Sequence, residues 1–147
     1  MRFLLLLAHV GTGALWLGSM AYSLFVVQRR LPRVLHDAVR VEDVYRELAA
    51  GNRWRVVGLI AVLGGSGAGL LAVQPARPGL WWTAVAAKAL LWLGATGLFW
   101  WVSWRGWPRR VFALPEELPG VQRRFRVVAL TLLVLVGTAF VLGVALS

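Results

Sequence analysis

Two ionisable side chains stand inside long apolar runs of this chain: His9 within LLLLAHVGTGALWLG and Lys88 within WWTAVAAKALLWLG. An imidazole can bind a metal through one ring nitrogen while the other donates a hydrogen bond, or it can take up and release a proton near neutrality. A Lys at membrane depth costs about 2.5–3.5 kcal/mol by insertion scales, and such residues mark ion pathways, proton relays or ligand sites. His9 lies six residues after Phe3, about 9 Å along a helix, and Lys88 lies seven after Trp81, about 10 Å along another. The two therefore sit at one depth. Trp16, two turns beyond His9, and Trp92, one turn beyond Lys88, line the same stripes. These four residues form the candidate ligand-binding site, with His9 as the candidate metal ligand. The plainer alternatives are a core histidine donating to a neighbouring carbonyl and a Lys88 that snorkels to the nearer interface. His36 belongs to a polar segment and is expected at the surface. Ser66, Thr96 and Thr138 are expected to bond back to helix carbonyls.

The elements that position these residues are helices in a membrane. Of 147 residues, 59% are hydrophobic and 15% charged, with a mean hydropathy of +0.70, far from a soluble domain of this size. The chain has no Cys, which excludes disulfides, thiolate metal sites and thiol redox chemistry. The net charge of +10 would suggest nucleic acid in a soluble protein. Here the Arg residues flank apolar segments, so the expected partner is the lipid bilayer and not nucleic acid.

A bilayer core of ~30 Å needs about 20 apolar helical residues. Four candidates meet this: Phe3 to Val27, Val56 to Val73, Leu80 to Trp104 and Val127 to Leu146. The first continues well past any leader cleavage point, so it is expected to be a span. The stretch from Gln28 to Arg55 carries seven Arg and that from Arg105 to Arg126 carries six, against Arg2 and Arg77 elsewhere. This asymmetry predicts a multi-pass protein of the cell membrane with both long loops cytoplasmic and both termini outside. Trp81 and Trp82 then mark the outer interface, and Trp100, Trp101, Trp104 and Trp107 the inner one. In the first loop, Leu31, Val34, Leu35, Ala38, Val41, Tyr45 and Leu48 recur at helical spacing. Charged residues take the other side, Glu42 and Arg46 being spaced to pair. That predicts an amphipathic helix on the inner surface. Pro108, Pro115, Pro119 and Gly120 predict turns in the second loop.

The two halves resemble each other. Leu15-Trp16-Leu17-Gly18 recurs as Leu91-Trp92-Leu93-Gly94, and Arg29, Pro32 and Arg33 meet Arg105, Pro108 and Arg109 at the same offset. Further on, Arg53 to Leu59 (RWRVVGL) recurs as Arg124 to Leu130 (RFRVVAL). The expected fold is all-α: a polytopic membrane four-helix bundle of two tandem hairpins, residues 3–73 and 80–146, with a pseudo-two-fold axis along the membrane normal. Under that repeat His9 maps onto Val85, one turn from Lys88 on nearly the same face. Gly65 to Gly69, and Ala14 with Gly18, supply small residues for close helix packing.

An early-span His, a Trp-x-Gly seven residues on and an Arg/Pro-rich loop resemble the small CopD-like membrane proteins; here these are His9, Trp16-Leu17-Gly18 and Arg29 to Arg33. The span bearing Lys88 is similar to the Lys-bearing helix of that group and of its HemJ relatives, the membrane protoporphyrinogen oxidases with a haem-binding His. The resemblance implies a haem- or porphyrin-binding redox protein, with haem b on His9 as axial ligand and Lys88 near a propionate or second ligand. One membrane His leaves haem five-coordinate, Lys-ligated or shared across a homo-oligomer. The alternatives are a copper- or proton-coupled transport protein working through His9 and Lys88, and a non-catalytic assembly factor. Copper(I) prefers thiolate, thioether and imidazole donors; the spans offer Met20 and His9, about 16 Å apart along one helix.

Overall fold

A computed structural model of the chain describes residues 1–75 and 78–145. Arg77, part of the charge asymmetry, and Leu146, the expected end of the last span, lie outside these. Every described element is helical. Helix α1 (Arg2–Tyr22) continues through a π-helical turn, Ser23–Val27, into α2 (Gln28–Leu35). Helix α3 (Ala38–Ala49) precedes α4 (Asn52–Ala72). Helix α5 (Gly79–Trp101) continues through a second π-helical turn, Val102–Gly106, into α6 (Trp107–Val111), and α7 spans Leu118–Ala145.

Four helical stretches are long and apolar enough to cross a membrane: Arg2–Leu35, Asn52–Ala72, Gly79–Val111 and Leu118–Ala145. Their outer surfaces are apolar, with Phe3, Leu4, Leu90, Val134 and Val141 all exposed. That is the surface a multi-pass membrane protein presents to lipid, where apolar contact with the surroundings costs nothing. Helix α1 packs on α4, α5 on α7, and α1 joins the two pairs through α7. The core runs down the middle: Trp16, Val56, Leu63, Ala95, Leu132 and Val136 are buried, with Trp92, Leu135 and Met20 packed around them. Small residues set the spacing. A side chain at Gly64 would stand 3.0 Å from the Trp92 ring, and one at Gly13 would stand 3.2 Å from Phe140.

The Arg-rich segments gather at one end of the bundle, opposite the end that holds His9 and Lys88. There the structure departs from the sequence reading in three ways. The first loop is two helices, because His36 takes a left-handed conformation (φ 53°) that ends α2 and Asp37 then caps α3, accepting from Val39 N at 2.9 Å and Arg40 N at 3.3 Å. The second loop is shorter than expected. Pro119 sits in the first turn of α7, where a missing N–H has no helical carbonyl to serve, and Pro108 is carried in the continuation of the α5 helix through the π turn into α6. Glu42, expected on the charged side of α3, is 1% exposed. Val34 and Leu48, expected on the apolar side of a single amphipathic helix, are exposed.

Proline also accounts for two unusual contacts. Pro32 cannot donate to the Gln28 carbonyl one turn back, and the Tyr45 hydroxyl donates to that oxygen at 3.3 Å. In the second π turn, Trp107 N–H bonds to the Val102 carbonyl five residues back. In that register the Ser103 carbonyl falls to Pro108, which has no N–H, and Arg53 Nη2 donates to it instead at 2.5 Å. The Arg53 guanidinium also lies over Trp104, 4.7 Å from the ring centre.

Candidate functional site

At the end away from the Arg cluster, one residue from each long helix meets. His9 on α1 lies against α4: its Nδ1 is 2.9 Å from Ser66 Oγ, and a side chain at Gly67 would stand 3.2 Å from the imidazole. Lys88 on α5 reaches across the bundle, its Nζ 3.2 Å from His9 Nε2. Helix α7 makes room for that reach at Gly143, where an added Cβ would stand 2.5 Å from Lys88 Nζ and 3.2 Å from Cε. The two ionisable residues at equal depth are thus in direct contact.

The hydrogen bonds fix their roles. Ser66 Oγ has one hydrogen, and it goes to the Val62 carbonyl at 2.6 Å. Toward His9 the hydroxyl can therefore only accept, so His9 carries its proton on Nδ1 and Nε2 presents a lone pair. Lys88 Nζ is the donor to that lone pair. Ser66, expected only to bond back into its own helix, does so and in addition sets the tautomer of His9. The chain offers a faint signal for this: Ser66 is the one hydroxyl in a run of glycines and alanine.

Trp16 and Trp92 do not join the polar pair. Trp16, 2% exposed, is the centre of the apolar core, and Trp92 packs its ring over Gly64. The buried Trp92 Nε1 and Thr96 Oγ1 have no hydrogen-bond partner among the described residues, contrary to the expectation that Thr96 bonds to a carbonyl. Lys88, Trp92 and Thr96 are spaced four apart, so they form one stripe down α5. Met20 packs against the apolar core. Among the described residues no group of three His, Cys, Asp or Glu could hold a metal ion.

A second polar cluster, which sequence reading missed, ties the basic end together. Arg110 donates to both carboxylate oxygens of Glu42, Nε to Oε1 at 2.6 Å and Nη2 to Oε2 at 3.0 Å, and Gln122 Nε2 adds a bond at 3.1 Å. Arg46, the expected partner, is 3.9 Å from Glu42 and contributes from the side. Burial pushes the Glu42 carboxyl up, but the Arg110 bonds and charge outweigh it, and the group is held below its ordinary range. The Arg110 guanidinium lies 4.7 Å from the Phe125 ring centre and 5.8 Å from that of Trp107. Beside it opens a cavity of about 460 Å³, lined among others by Tyr45, Arg123 and Arg126. Burial pushes the Tyr45 hydroxyl up, with Arg110 and Arg126 opposing.

No protein-family model, no curated protein and no solved structure matches this chain.

Proposed function

We propose that this is a cell-membrane protein in which His9 and Lys88 form a proton-sharing site that serves proton-coupled transport. The observation that carries this reading is the 3.2 Å contact between Lys88 Nζ and His9 Nε2. A hydrogen bond between two basic nitrogens needs one donor and one acceptor, so it persists only while Nε2 keeps its lone pair. A second proton turns both groups into donors and sets two cations a few ångströms apart, where the low dielectric magnifies their repulsion. The long Lys88 stem can then swing away, which makes the pair a two-state element driven by protonation. Trp92 and Thr96 continue polar groups along the same face of α5. In sealed vesicles containing a pH-sensitive dye, Lys88→Met should stop proton entry while leaving helicity unchanged. Wild-type flux in that variant would refute the reading.

A second reading keeps haem b, and the observation that favours it is the bond to Ser66. Metal-ligating imidazoles characteristically donate their other N–H to a fixed acceptor, and His9 is oriented in that way. An iron on Nε2 would need Lys88 displaced from its present position; haem would then supply redox chemistry, with His9 binding and Lys88 pairing with a propionate. Absorption spectra of purified protein, oxidised and reduced, decide between the two: a Soret band lost in His9→Ala would favour haem. Kinship with the CopD-like and HemJ groups belongs to this proposal, on His9, Trp16-Leu17-Gly18 and Lys88. So does a tandem duplication of hairpins, supported by matching α1–α4 and α5–α7 pairs and by a π turn in each half. The Arg-rich end is proposed as cytoplasmic; a reporter fused after Ser147 should then be active only outside.

A further inference from the structure

We propose that the cavity at the Arg-rich end binds the phosphate head group of an anionic phospholipid, with Arg123 and Arg126 as its anion ligands. The cavity, about 460 Å³, lies between the Ser23–Val27 turn, α3, α6 and the start of α7. Its three Arg residues are not equivalent. Arg110 is neutralised by Glu42 through two bonds, at 2.6 and 3.0 Å. Arg123 and Arg126 form no ion pair among the described residues, so the cavity carries two uncompensated positive charges beside an aromatic wall of Trp107 and Phe125.

Guanidinium groups present planar, paired donors that match phosphate oxygens. A basic pocket between membrane helices, at the level of an aromatic girdle, is the setting in which anionic head groups bind. The girdle is present: Trp100 stacks on Trp104 at 3.9 Å and Trp54 meets Trp104 edge-on at 6.4 Å. Exposed apolar side chains, Phe25, Val26 and Leu48 among them, continue from the same end of the bundle. A phospholipid engages both the charges and this apolar surface, whereas free phosphate engages only the charges. That difference selects the lipid. The inference rests on the Arg-rich end lying at head-group level and is independent of what His9 and Lys88 do.

The test uses the full chain in a neutral detergent, titrated with phosphatidylglycerol or phosphatidylcholine and followed by native mass spectrometry. Phosphatidylglycerol should bind more tightly than phosphatidylcholine. The Arg123→Gln/Arg126→Gln variant should weaken phosphatidylglycerol by about thirtyfold, from two Arg contacts of the strength expected near an anionic surface. Arg30→Gln/Arg55→Gln removes the same charge outside the cavity and should leave binding within about threefold of wild type. Both pairs are exposed, and circular dichroism checks that each variant is folded. Equal binding of the two lipids, or equal weakening in the two double variants, would overturn the proposal. So would inorganic phosphate displacing phosphatidylglycerol at comparable concentration, since that assigns the cavity to a free anion.

Discussion

Gly143→Ala should open the contact between His9 and Lys88 without touching either residue. The new methyl would stand 2.5 Å from Lys88 Nζ and 3.2 Å from Cε, whereas ordinary carbon contacts begin near 3.5 Å. The ammonium must therefore move by about 1 Å. Its distance to His9 Nε2 is 3.2 Å, near the limit for a nitrogen–nitrogen hydrogen bond, so a displacement of that size takes the pair out of bonding geometry. Losing a hydrogen bond to a charged group costs about 1.5–3 kcal/mol. Replacing Gly by Ala here, in the last described turn of α7, returns less than about 1 kcal/mol. The net change in stability is thus about 1 kcal/mol, too small to be diagnostic, and the assay must read the bond itself. Nitrogen-15 NMR of histidine-labelled protein does this, because the chain has two His residues and exposed His36 serves as an internal reference. The Nε2 resonance of His9 should move toward that of a free lone-pair nitrogen in Gly143→Ala, as it should in Lys88→Met, while His36 stays fixed. An unmoved Nε2 resonance in Gly143→Ala would show that Lys88 does not depend on the notch at Gly143, and the derived geometry would be wrong.

Glu42→Ala leaves the Arg110 guanidinium without its carboxylate, which for a buried pair costs about 3–5 kcal/mol; the adjoining cavity admits water to Arg110, which sets the expected loss at the lower end, read as a fall in thermal stability. Because the folded Glu42 carboxyl is held below its ordinary range, its contribution to stability is complete above the unfolded carboxyl's pKa. It is lost as pH falls through the lower folded value, and an acid titration of melting temperature should show this step in wild type and not in Glu42→Ala. Tyr45→Phe removes the donor to the Gln28 carbonyl that Pro32 leaves unserved and should cost about 1–3 kcal/mol. The companion change Pro32→Ala, which restores the backbone donor, should recover most of it; no recovery would mean that the hydroxyl serves some other purpose.

Much of the architecture was legible in the residues alone. Runs of about 20 apolar residues are long enough to cross a bilayer wherever they occur, so the four long helices could be read off directly, as could the gathering of Arg at one end. The equal depth of His9 and Lys88 followed from counting residues at a fixed rise per residue. The absence of Cys removed whole classes of chemistry. What could not be read was the rotation of each helix about its own axis. The long helices are apolar on every side, so no stripe marks which face turns inward. Gly143 therefore gave no sign that it would meet Lys88, and Ser66, marked only as the one hydroxyl in a run of small residues, did not reveal His9 as its partner 57 residues away. In α3 a stripe does exist, but the spacing alone places Glu42 on the charged side, because its partner Arg110, 68 residues away, comes from a segment whose prolines predict turns. Only packing brings a guanidinium to that carboxylate and makes burial of the charge tolerable. The same holds for the carbonyls that Pro32 and Pro108 leave open: the prolines are visible in the chain, whereas Tyr45 and Arg53 become their substitutes only once the helices are side by side.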